Sequence, residues 1–132
     1  MPLSRNSSLK RSPMKTQRAK PSDEEKEARA LVRIRSGGLC EMRLTGCLGR
    51  ATDFSHRVGR GVGGKWTAAN GLDSCRACHG WCHWRRAEAN DLGLILDSWQ
   101  DPTVEPVAYQ NAGFVVLDNL GYLWPVLDEE TA

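Results

Sequence analysis

Cys75 and Cys78, followed at once by His79 and His83, are the residues of this chain whose types and spacing best suit chemistry. Two cysteines separated by two residues form the commonest zinc-binding half-site, because one tight turn can aim both thiolates at a single ion. A second and wider pair, Cys40 and Cys47, lies upstream. Together Cys40, Cys47, Cys75 and Cys78 make a candidate tetrahedral site for a structural Zn2+. In a chain of 132 residues, such a site would turn metal-binding energy into folding energy. Cys82 is left over; it either packs as a small apolar residue or takes the place of Cys40 or Cys47. On a helix starting at Cys75, the two cysteines and the two histidines centre on directions roughly a quarter-turn apart, at about 100° per residue. His79 and His83 stand at i and i+4, so one helix face can present both to a second divalent ion.

Several elements must form to hold these groups. Ser22, with Glu25 three residues later, predicts a capped helix with acids in its first turn and Arg33 and Arg35 in its last, ended by Gly37-Gly38. Residues 40–49 read as a turn-rich knuckle and residues 51–57 as a strand. A glycine-rich loop at 59–65 follows, and residues 66–72 return as a short irregular strand. The spacing predicts one helix from Cys75 to about Asn90. Leu94–Leu96, Val107–Tyr109, Phe114–Leu117 and Tyr122–Val126 read as short strands, the last two joined by a turn at Asp118-Asn119-Leu120-Gly121.

Charge is distributed unevenly. All 18 Lys and Arg lie at or before Arg86 with only seven of the 16 acids, so that part carries +11; nine acids and no base follow it. A basic front half attracts a polyanion, and a phosphate backbone is the obvious one, although a merely solvated basic tail has the same composition. Residues 1–21 hold six bases and no acid among Ser and Pro, and read as a disordered arm. They contain no apolar run of the secretory kind, so the cysteines are expected to stay reduced, which favours zinc over disulfides. No stretch approaches the roughly 20 apolar residues of a membrane span. A cytoplasmic location is the expectation.

The order His56, Asn70, His79, framed by Cys40/Cys47 and Cys75/Cys78, resembles the HNH endonucleases of the ββα-metal (His-Me finger) type. The segments Ala51–Arg57 and Asn70–His83 are similar to small HNH proteins of bacteriophages, whose cytoplasm would be the host's. The likeness spans roughly residues 38–84. It implies an α+β fold: a small zinc-stapled ββα-metal core with an N-terminal helix over residues 22–90, and an acidic, strand-rich extension over 91–132. By the same resemblance His56 is the general base that activates water, at an ordinary imidazole pKa of ~6.5. Asn70 hydrogen-bonds across the hairpin loop and orients His56. His79 holds a catalytic divalent ion such as Mg2+ or Mn2+, with His83 as a second ligand. Arg57, Arg60 and Lys65 face the DNA phosphates, and the 59–64 loop lets the backbone approach. One position departs from the family pattern. Many members carry Asp or His just before the base, whereas this chain has Ser55, which leaves the ion to His79, His83 and water, or to Asp53 as well.

Each residue also has a plainer reading. His56 can be a structural strand histidine, Asn70 a turn residue and Arg85-Arg86 a solvated helix end. Trp66, Trp81, Trp84, Trp99 and Trp124 are expected in the core or as shields of the zinc site. At the level of function the alternatives are a zinc-stapled DNA-binding module that does not cleave, and an accessory protein of phage packaging that meets a terminase or portal protein.

Overall fold

Ser22 opens the first regular element of the computed structural model, which describes residues 19–126. Its hydroxyl accepts the Glu25 N–H at 3.1 Å and starts helix α1, Asp23–Ser36. Glu25 turns its own carboxylate forward to Arg29 rather than back to Ser22. The helix ends at Gly37, whose φ of 65° is the left-handed geometry that lets its N–H close on the Arg33 carbonyl. Arg33 and Arg35 do more than match the helix dipole. Arg35 forms a two-pronged pair with buried Glu41 at 2.7 and 2.9 Å and also donates to the carbonyls of Ala68 and Gly71. Arg33 and Ser36 both bind the Asp73 carboxylate. Removing either charge of a buried pair strands the other, so these contacts clamp α1 onto the rest of the chain.

The knuckle is closed at its base by the Leu39–Arg50 bridge and the hydrogen bond from Cys40 N–H to Gly49. Strand β1, Asp53–His56, pairs antiparallel with β2, Gly71–Ser74, in a register that sets His56 against Gly71 and Asp53 against Ser74. The return strand is therefore shorter and later than residues 66–72, because Thr67–Asn70 is spent on a turn. Between the strands, residues 59–64 include one 3₁₀ turn, Arg60–Val62.

Helix α2, Arg76–Trp84, begins with Cys75 as its N-cap, the thiol accepting the Cys78 N–H. The single expected helix is in fact two: Arg85 leaves helical geometry at φ −116°, ψ 58°, and α3 runs Arg86–Asp91. No glycine or proline stands at Arg85, so neither accounts for the break. Leu94–Leu96 forms only one parallel bridge, Leu96 to Val58. The remaining strands, β3 Val107–Tyr109, β4 Gly113–Leu117 and β5 Leu123–Pro125, make an antiparallel sheet in chain order. Leu94, Ile95, Val107 and Leu117 from this C-terminal part pack in the same core as Cys40, Met42, Leu72, Cys75, Cys78 and Cys82. The whole is an α+β fold with helices and antiparallel sheets. Most of the expected disordered arm lies outside the described residues. Among those described, no helix is long and apolar enough to cross a membrane.

Candidate metal centre and catalytic site

The four cysteines converge. Cys40, Cys47, Cys75 and Cys78 place their sulfurs within 4.8 Å of one another. The Cys75–Cys47 separation of 3.8 Å matches the edge of a ZnS4 tetrahedron, about 3.8 Å for bonds of ~2.3 Å. Amide donors point at the sulfurs: Leu48 and Cys78 N–H at Cys75, and Gly49 N–H at Cys47. Burial pushes the Cys75 thiol up, but these amides and the neighbouring thiols outweigh it and bring its pKa down to about 7. Burial instead pushes the Cys78 and Cys47 thiols up, so their protons leave only as an ion binds; four sulfurs with aimed N–H groups are chemistry suited to zinc. Cys82 takes the apolar alternative: it is fully buried and lies 3.6 Å from the Met42 sulfur.

One turn into α2, His79 and His83 bring their Nε2 atoms within 3.2 Å. The opposite edge of the His79 ring meets β1, where Asp53 Oδ2 lies 2.9 Å from Nδ1. With Nδ1–H donating to the carboxylate, the Nε2 lone pair faces His83, the arrangement in which a carboxylate orients a metal-binding imidazole. Asp53 thus stands behind His79, on the far side of the ring from His83. The hydrogen bond from His79 holds the Asp53 carboxyl below its ordinary range, with Thr52 and Arg76 adding to the effect against the upward push of burial. Two imidazole nitrogens at this spacing can share a divalent ion, each supplying one ligand. Ser55, on the same strand face two residues on, is 1 % exposed and its hydroxyl is unpartnered.

His56 lies on the alternate face of β1 in an aromatic box. Its ring stands edge-on to Phe54 and Trp66, with centroids at 5.1 and 4.3 Å. Arg29 from α1 covers both Phe54 and Trp66, and Arg60 covers Trp66 from the loop. Burial, with the Arg60 and Arg29 guanidinium groups adding to it, lowers the His56 pKa to about 4. The imidazole is therefore neutral at pH 7, as a base must be, yet weakly basic. Its Nε2 is sealed from solvent and meets no partner. Asn70 does not touch the ring. Its carboxamide accepts the Val58 N–H and donates to the Val58 and Lys65 carbonyls, bracing the loop that follows His56.

The expected phosphate contacts divide. Arg60 and Lys65 are exposed, but Arg57 is 0 % exposed and cannot face a ligand. Its guanidinium donates to the carbonyls of Gly93, Ala69, Pro102 and Glu105, which makes it the tie between the hairpin and the C-terminal segment. Burial draws its pKa down to about 10, leaving it charged. Lys20, Lys26, Arg29 and Arg76, with Glu25 paired to Arg29, line a groove of about 870 Å³ that reaches Thr52, Asp53 and Phe54. Sequence reasoning did not single out Arg29 or Arg76. Asp53, which the sequence offers as a further ligand, stands instead behind the His79 ring. The tryptophans also depart from expectation: Trp66 and Trp81 are half-buried, while Trp84, Trp99 and Trp124 are exposed.

Comparison of the chain with protein-family models, with curated proteins and with solved structures gives no match.

Proposed function

We propose that this protein is a metal-dependent DNA endonuclease of the HNH type, with a structural Zn2+ at Cys40, Cys47, Cys75 and Cys78. One observation carries the reading: a hairpin bearing His56 and Asn70 packs on a helix whose His79 and His83 present Nε2 atoms 3.2 Å apart, with Asp53 holding the first ring. His79 and His83 would hold the catalytic divalent ion, which when bound supplies Lewis-acid stabilisation of charge on the scissile phosphate and departing oxygen. Asp53 fixes the His79 tautomer. His56 takes the proton of the attacking water, and Asn70 keeps the following loop, with Arg60 and Lys65, in place for the DNA backbone. Arg29, Arg76, Lys20 and Lys26 offer the groove in which that backbone lies.

A second reading, a DNA-binding module that does not cleave, draws support from Ser55 in the ligand position and from the sealed Nε2 of His56. Cleavage of plasmid DNA measured against Mn2+ concentration separates the two. The endonuclease reading expects His56→Ala to cut about 10²- to 10⁴-fold more slowly at all metal concentrations. Asp53→Asn and His79→Ala should instead need about 10- to 100-fold more metal for half-maximal rate. A folded parent protein that leaves plasmid intact with every divalent metal tried rejects the enzyme and leaves the module.

A further inference from the structure

We infer that Trp84 is a stacking platform for an unpaired base beside the cleavage site, so that the preferred ligand is single-stranded or locally opened DNA. This rests on the reading that the ligand is DNA. Trp84 is 81 % exposed, the last residue of α2, directly after His83. On a helical wheel the open arc of α2 runs from His79 and His83 through Arg76 and Gly80 to Trp84 and Ala77. Trp84 is therefore the large side chain at the far end of a surface that begins at the histidine pair. Gly80, at its centre, weakens the helix relative to alanine, and nothing inside the protein requires it: a Cβ there would meet no atom within 4 Å. A bare helix face between a metal-binding pair and an exposed indole leaves room for something outside the protein to lie against it.

Charge selects the occupant. Arg85 and Arg86 follow Trp84 and Arg76 precedes it on the same face; all three are exposed, Arg85 and Arg76 in solvent-facing pairs with Glu88 and Asp53 at 3.3 and 3.6 Å that a phosphate can replace, and Arg86 with no ion pair among the described residues. The other exposed tryptophans stand in acidic surroundings. Trp99 lies between Asp97 and Asp101, and the Trp124 Nε1 donates to Asp118 at 2.8 Å. Only Trp84 combines an open indole with flanking bases, the pairing that single-stranded nucleic acid uses: cations track the backbone while each base offers a π-face. A base held in an intact duplex has no free face, so the platform discriminates for the unpaired state.

The test uses oligonucleotides of one sequence carrying 2-aminopurine, as a single strand and as a full duplex, bound to the His56→Ala protein so that cutting is slow beside the measurement. Stacking on Trp84 should quench the probe in the single strand. Adding Trp84→Ala should abolish the quenching and weaken single-strand binding about 5- to 150-fold, with duplex affinity changed less than about 2-fold. Trp84→Phe should retain most of both signals, and Gly80→Leu, which places bulk on the open face, should weaken the strand without lowering zinc content or folded helicity. Equal effects on strand and duplex, or none on either, overturn the platform while DNA binding itself stands. Failure of the parent protein to bind any DNA at low salt overturns the platform together with the nuclease reading.

Discussion

Arg57 and His56 are neighbours with opposite fates, and each yields a measurable consequence. The Arg57 guanidinium is spent on four backbone carbonyls from three separate segments. Truncating it strands those acceptors in the interior, where each unsatisfied group costs about 1–3 kcal/mol. Arg57→Ala is expected to lower stability by about 3–5 kcal/mol in urea unfolding, close to abolishing the fold, whereas Arg60→Ala should change it by less than about 0.5 kcal/mol. Comparable small losses for both would mean Arg57 is not the tie described. For His56 the linkage runs through a depressed pKa. The folded imidazole titrates at about 4, the unfolded one at its ordinary 6.5. Between those values the unfolded chain binds more protons, so stability is full above pH 6.5 and erodes as pH falls toward 4. His56→Gln should therefore lose less stability between pH 7 and pH 5 than the parent does. The His56 ring proton shift, followed by NMR, should show no titration near 6.5.

At the scale of elements, the hairpin is where site and scaffold are hardest to separate. Gly71 faces His56 across the register, and a Cβ on it would fall 1.9 Å from the Phe54 ring. Phe54 is one wall of the box around His56, so the glycine is a site residue by proxy. Gly71→Ala is expected to push Phe54 aside, cost about 1–3 kcal/mol through overpacking, and raise the His56 pKa by admitting water. A variant with parental stability and an unmoved His56 resonance would show that the box does not depend on this contact. The break at Arg85 has a similar standing: it ends α2 at Trp84 and turns α3 away, leaving the indole at a helix terminus with solvent around it.

At the scale of the whole molecule, an apolar core runs through the described residues from the knuckle to β4, with Cys40, Cys75 and Cys78 of the four-cysteine cluster buried in it and Cys47 packed against it. The proposed zinc would add folding energy to a domain whose buried surface alone leaves little margin. Cys75→Ser should lose zinc and unfold or aggregate, and chelation of the parent should do the same, as read by circular dichroism alongside zinc released to a colorimetric chelator. Purified protein that holds no zinc and stays folded after chelation would contradict the staple. Cys82→Ala is the contrasting case, since its thiol packs on Met42 and leaves the cluster whole; zinc content should stay at one per chain.

What was legible in the sequence is what local spacing determines. Ser22 and Gly37 mark the ends of α1 because capping is a matter of a few adjacent groups. Cys75 and Cys78 announce a shared ligand because two residues between them make one turn. His79 and His83 share a face because a helix repeats every 3.6 residues. The α+β class and the three C-terminal strands follow from the same short-range patterns. Tertiary structure decided the rest, because it turns on what each side chain meets from distant segments. Arg57 reads as a surface cation beside a glycine loop until residues 93–105 close over it with carbonyls. Arg33 and Arg35 read as dipole partners until Asp73 and Glu41 are brought beneath them. Asp53 becomes the orienting carboxylate of His79 only when β1 packs on α2, and His56 loses its ordinary basicity only when α1 and the loop wrap it in Phe54, Trp66 and two guanidinium groups. Local periodicity says which residues share a face; desolvation and partner geometry, which set their chemistry, are properties of the packed chain alone.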